Sequence, residues 1–237
     1  TLPYSAFYGC SKLSFVYNGT NVTEIGTYAF GNCTAMQALN LNDATYFGKV
    51  ETVGSNAFRG CTSLTSVRLA DATTALYTYA FANCSALRYI DLRGNLKTIG
   101  GDAFRNCAAL PKVQFPETLE AVNSNAFTGC ASLKLVDASY TADPAVFAAT
   151  AFDADTKASA RLYVPLGSET AYHASDNTDA FNYLIANVNE EGFAEVFEKG
   201  SLPATDDYVF HYRVSSGDTD FYPGVYSTGT STFSLNT

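Results

Sequence analysis

The sequence predicts an α/β-type repeat solenoid with short parallel strands on a concave face, followed by a small β-rich C-terminal extension. Two observations carry this expectation. The dipeptide Ala-Phe recurs, placing phenylalanines at Phe7, Phe30, Phe58, Phe81, Phe104, Phe127 and Phe152, with spacings of 23, 28, 23, 23, 23 and 25 residues. All six cysteines of the chain (Cys10, Cys33, Cys61, Cys84, Cys107 and Cys130) stand three positions after the first six of those phenylalanines. A unit this short cannot bury its own apolar residues, so successive units must stack and share one continuous core.

The other columns repeat with the same period. Six positions after each phenylalanine stand Leu13, Met36, Leu64, Leu87, Leu110 and Leu133, and nine positions after stand Val16, Leu39, Val67, Ile90, Val113 and Val136. In segments such as LTSVRL (64–69) and LRYIDL (87–92) apolar residues alternate at the end, which suits a strand with one buried face. Five positions before each phenylalanine lies another apolar column, from Leu2 and Ile25 to Val122 and Phe147. The alanine fits a tight corner, and the phenylalanine fills the core beside it.

Two positions after the phenylalanine only glycine and asparagine occur: Gly9, Asn32, Gly60, Asn83, Asn106 and Gly129. These residues take positive φ most readily, so a left-handed turn is expected there. Asn32 and Asn83 also head glycosylation sequons, but the turn already accounts for both amides.

These columns resemble the BspA-like class of bacterial leucine-rich repeats, whose unit reads I-G-x-x-A-F-x-x-C-x-x-L-x-x-I-x-L. Matching stretches are IGTYAFGNCTAM (25–36), VGSNAFRGCTSL (53–64) and IGGDAFRNCAAL (99–110), and the resemblance covers roughly residues 1–165. A weaker match follows, in which Val164, Pro165, Gly167, Ser168, Tyr172, Phe181 and Ile185 fit the stretch that ends such arrays, while Thr178 replaces a tryptophan. The resemblance implies surface or secreted proteins of host-associated microbes, with roles in adhesion and protein contact, and it implies no catalytic residues and no cofactor.

Domain organisation is expected to follow the pattern breaks: a solenoid of about seven units over 1–165, a cap segment over 166–186, and an acidic β-rich extension over 187–237. The extension holds eight acidic and two basic residues, hence −6 of the total charge of −9. Within it YVFHYRV (208–214) reads as a strand and Pro223-Gly224 as a turn. The long 28-residue spacing inserts a loop around Asp43–Lys49 that carries Tyr46 and Phe47. The first unit lacks its opening part, so the array is expected to continue upstream.

Several function classes are excluded. Lysines and arginines are scattered in a chain of net charge −9 and pI about 4.6, so nucleic acid is not an expected partner. No apolar run approaches the ~20 residues of a membrane span. A catalytic triad could be drawn from His173, Asp176, Asp179 and a serine, but no nucleophile motif supports it. Asp153-x-Asp155 and Asp218-x-Asp220 lack the glycine and closing glutamate of a calcium loop. The cysteine column reads as buried thiols, since parallel side-chain directions hold neighbouring Cβ atoms too far apart for a disulfide, and a linear ladder does not converge on zinc.

The expectation is therefore a non-catalytic module without cofactor or metal, outside the cell, whose partner is a protein or glycan on a host or microbial surface. The alternative is a structural spacer that presents another domain. Side chains alternating with the buried strand residues define the candidate site: Tyr17, Arg68, Tyr89, Asp91, Lys112, Gln114 and Tyr163. Tyr46 and Phe47 of the insertion are the alternative site.

Overall fold

Each repeat folds as one solenoid turn bearing two short strands. The computed structural model describes residues 1–16, 21–41, 48–92, 94–141, 143–165, 168–178 and 180–187, and beyond them four strands only. In chain order the repeat strands are β1 (Glu24–Ile25), β2 (Ala38–Asn40), β3 (Thr52–Val53), β4 (Ser66–Arg68), β5 (Ala75–Leu76), β6 (Tyr89–Asp91), β7 (Thr98–Ile99), β8 (Lys112–Gln114), β9 (Ala121–Val122) and β10 (Leu135–Asp137). The odd-numbered two-residue strands make one parallel sheet, in the order β1-β3-β5-β7-β9. They coincide with the apolar column five residues before each phenylalanine, which is thus a second strand column that alternation in the sequence could not reveal in two residues.

The solenoid is as expected, whereas its helical component is small. Among the described residues helix is confined to the end of the array: a 3₁₀ turn at Pro144–Val146, α1 (Ala154–Ser159) and α2 (Glu169–Ala174). Two left-handed positions in each turn explain this. The [G/N] column has positive φ throughout, as at Asn32 (58°), Asn83 (60°) and Gly129 (77°). A further column, two residues before the phenylalanine, also does: Ser5, Tyr28, Asn56, Tyr79, Asp102 and Asn125. Left-handed residues four apart leave no room for a helical turn between them.

The core is a stack of rings. Phe30, Phe58, Phe81 and Phe104 lie nearly parallel, with centroids 5.1–5.5 Å apart, and Phe127 and Phe152 continue the stack at 5.2 Å. Beside it the N–H of each phenylalanine donates to the alanine carbonyl of the next unit, for example Phe58 to Ala80 and Phe81 to Ala103, both at 2.8 Å. The insertion leaves and rejoins this frame at Leu41 and Val50, both fully buried.

The array closes on β11 (Arg161–Pro165) and β12 (Tyr183–Asn187), which extend the β8-β10 ladder in parallel. The Tyr172 side chain is buried and its hydroxyl donates to the Thr141 carbonyl. Thr178, at the family's tryptophan position, is buried too and its hydroxyl donates to the Tyr172 carbonyl at 2.8 Å. Phe181 meets Phe152 edge-on at 5.4 Å, ending the ring stack. Four antiparallel strands follow: β13 (Phe193–Glu198), β14 (Asp207–Tyr212), β15 (Tyr222–Ser227) and β16 (Thr232–Leu235). Pro223 and Gly224 lie within β15 and not in the expected turn. Pro223 pairs in register with His211 of β14.

Candidate binding surface

The three-residue strands hold five of the sequence-derived site residues, Arg68, Tyr89, Asp91, Lys112 and Gln114, and their pleat decides which reach solvent. Val67, Val113 and Val136 point inward and are fully buried. Tyr89 is 53% exposed and Arg68 51%, Lys112 is exposed, and Gln114 is half-buried. Two of the expected surface residues are buried instead. Asp91 lies in register with Arg68 across β4 and β6, is 6% exposed, and has a carboxylate oxygen 3.6 Å from the Arg68 Nε. Tyr163, 4% exposed, sits mid-strand in the five-residue β11, flanked in register by Asp137 and Ile185 of paired strands. Tyr17, Tyr46 and Phe47 lie outside the described residues.

A break in the sheet sets the geometry of the centre. The strand column is two sheets, β2-β4-β6 and one beginning at β8, and β6 and β8 are not paired. One position in each unit normally bridges the seam: Thr65 N–H donates to Gln37, Arg88 to Thr65, and Lys134 to Pro111, at 2.8–2.9 Å. In the fifth unit that position is Pro111, which has no N–H to give the Arg88 carbonyl. The strands part, Ile90 is 8% exposed where Val67, Val113 and Val136 have no exposure, and a cleft of about 370 Å³ opens. Tyr89, Asp91, Lys112 and Gln114 line it together with Pro111. Sequence reasoning chose the four side chains and missed Pro111, although a proline inside a strand column signals a broken ladder.

The remaining candidates are occupied structurally. Asp153 caps α1: its carboxylate accepts from the Thr156 N–H at 2.8 Å and from the Gly129 N–H at 2.7 Å. Burial pushes that carboxyl up, but these N–H donors outweigh burial and hold it below its ordinary range. The side chains of His173 and His211 lie outside the described residues, and no metal-binding cluster occurs among those described. Cys33, Cys61, Cys84, Cys107 and Cys130 are buried free thiols, and Cys10 is exposed. The sequon residue Asn83 accepts from Asn106 at 2.9 Å, so its amide belongs to the turn column.

The family described as BspA type leucine rich repeat region matches residues 1–134 in six copies. The chain belongs to this BspA-type leucine-rich repeat family. Among solved structures, this BspA-type protein is similar to a leucine-rich repeat protein of T. pallidum, with 32% identity over 52% of this chain and 55% of that one, and a TM-score of 0.45. It is also similar to a leucine-rich repeat protein of Eubacterium ventriosum, with 35% identity over 54% of this chain and 33% of that one, and a TM-score of 0.48. A leucine-rich cell surface protein of Faecalibacterium prausnitzii matches at 20% identity over 79% of this chain and 69% of that one, with a TM-score of 0.32. The chain thus spans about half the length of the first relative and a third of the second. A search of curated proteins finds no match. No helix among the described residues is long and apolar enough to cross a membrane.

Proposed function

We propose that this BspA-type array is a non-catalytic binding module of a secreted or cell-surface bacterial protein, serving adhesion to a protein or glycan of a host or microbial surface. The strand face is its contact surface, centred on the β6/β8 seam. The observation that supports this is the cleft at Pro111, where an exposed aromatic, a lysine and an amide surround backbone groups released from the ladder. Exposed tyrosines flanked by polar groups, with a recess beneath them, are the usual anchors of a contact surface.

The test is to screen extracellular-matrix proteins and glycans, then measure affinity for the parent, Tyr89→Ala and Pro111→Thr. Tyr89→Ala should weaken binding by about 1–2 kcal/mol, and Pro111→Thr should weaken it by closing the seam. Parental affinity in both variants would move the contact elsewhere, and absence of any ligand would favour a spacer.

A further inference from the structure

A second recess lies away from the strand face, on the turns that carry the Ala-Phe pairs. It encloses about 580 Å³ and runs across the first four units, lined by Tyr4, Tyr8, Tyr28, Asn32, Arg59 and Asn83 among others. Three tyrosine rings form its wall. Tyr28 meets Tyr8 edge-on at 5.6 Å and Tyr4 at 6.3 Å, while Tyr4 and Tyr8 are 72% and 51% exposed. The Asn32 amide donates to the Tyr8 hydroxyl at 3.0 Å, fixing that ring. Gly60 leaves room for the Asn32 side chain, since a Cβ there would lie 2.3 Å from its oxygen. Tyr28 is held at φ 58°, a conformation costly for an aromatic residue, at a column filled elsewhere by serine, asparagine, aspartate and one other tyrosine.

Among the described residues Arg59 is the only charged one lining this recess. The repeat supplies an internal comparison for it. In the fifth unit Arg105 pairs with Asp102, three residues earlier, at 2.8 Å. In the third unit the same two positions hold Arg59 and Asn56, so the guanidinium donates to a neutral amide at 3.3 Å. The Tyr79 ring lies 5.6 Å from the Arg59 guanidinium carbon and braces it. Among the described residues Arg59 has no carboxylate partner.

We infer that this recess is a binding site for a carboxylate-bearing oligosaccharide, such as one containing a hexuronate or a sialic acid. The Arg59 guanidinium receives the carboxylate through the N–H groups left over from Asn56, a charge-assisted contact that arginine makes well. The tyrosine faces pack against the apolar C–H face of a sugar ring. Asn32 and Asn83 offer both donors and acceptors, which suits sugar hydroxyls that also do both. A peptide carboxylate is the competing occupant, but it would leave the amide lining without hydroxyl partners.

Calorimetric titration of the whole chain with 3′-sialyllactose, trigalacturonate and a hyaluronan hexasaccharide tests the inference, with lactose, the carboxyl-reduced sugars and a pentaglutamate peptide as comparisons. At least one carboxylated sugar should bind, tenfold or more tighter than its neutral counterpart and than pentaglutamate. Asn56→Asp recreates the Arg105–Asp102 pair and should weaken that binding at least tenfold. Tyr28→Asn installs a residue the column already accepts and should weaken it similarly. Both should melt no lower than the parent, and Tyr140→Ala, at an exposed tyrosine that lines neither recess, should bind these sugars unchanged. Failure of every carboxylated sugar to bind, equal binding of neutral sugars or pentaglutamate, or parental affinity in Asn56→Asp would overturn it.

Discussion

The thiol of Cys84 donates to the carbonyl of Phe58, one repeat earlier, at 3.2 Å. Cys33, Cys61, Cys107 and Cys130 make the same bond to Phe7, Phe30, Phe81 and Phe104, at 3.2–3.3 Å. The column is therefore a ladder of weak S–H donors, each adding a second bond to a phenylalanine carbonyl that already accepts a backbone N–H, as Phe58 does from Cys61 at 3.2 Å. Alkylation of the native protein followed by mass spectrometry should label Cys10 quickly and the other five only after denaturation. Rapid labelling of Cys84 in the native state, or a cystine between any two of the six, would refute the ladder.

Burial also pushes these thiols up, to about 12 at Cys61 and Cys130. A group whose folded pKa is raised contributes stability that is full below its unfolded pKa and is lost as pH climbs toward the folded value. Stability should therefore be level through neutral pH and decline above about pH 9, by up to about 1.4 kcal/mol per thiol per pH unit. Melting temperatures between pH 7 and pH 11 check this, and Cys61→Ala should flatten the decline. A profile unchanged by that substitution would contradict the assignment.

The left-handed columns make a conformational prediction. At Asn83, with φ 60°, a glycine should be tolerated within about 0.5 kcal/mol, because it gains freedom while losing the bond from Asn106. Asn83→Val should cost about 1–2 kcal/mol, since a β-branched side chain resists positive φ. Equal thermal stability of the two variants would assign the column another cause.

Pro111 predicts a gain. Pro111→Thr restores the N–H present at Thr65 and Arg88 and should donate it to the Arg88 carbonyl, joining β6 to β8. A net hydrogen bond is worth about 0.5–1.5 kcal/mol, so a modest rise in melting temperature is expected. Hydrogen exchange should show new protection at residue 111 and its neighbours, and unchanged exchange around the seam would mean that proline is not what parts the strands.

At the end of the array, Asp153 joins two units by capping α1 and holding the Gly129 N–H. Asp153→Ala should cost about 0.5–2 kcal/mol. Because the folded carboxyl is depressed, its contribution is present above its unfolded pKa and disappears as pH falls below about 4. Acid melts of parent and variant should therefore converge at low pH; a constant gap would argue against an ionised cap.

What the sequence determined by itself is most of what repeats: the turn length, the phenylalanine column, the cysteine column, the Gly/Asn turn and the family, though not the second strand column or the second left-handed one. Such features recur six times with the same neighbours, so one periodic pattern encodes both a residue and its surroundings. Only the tertiary structure decided what the departures from the period do. Asp91 is buried because Arg68 lies against it from 23 residues away, and the sheet parts because Pro111 faces the Arg88 carbonyl. Among the described residues Arg59 has no carboxylate partner, because its turn carries Asn56 where another unit carries aspartate. In a solenoid each residue's decisive neighbour belongs to the adjacent unit, so burial and electrostatics at a non-repeating position are set by stacking and not by local sequence.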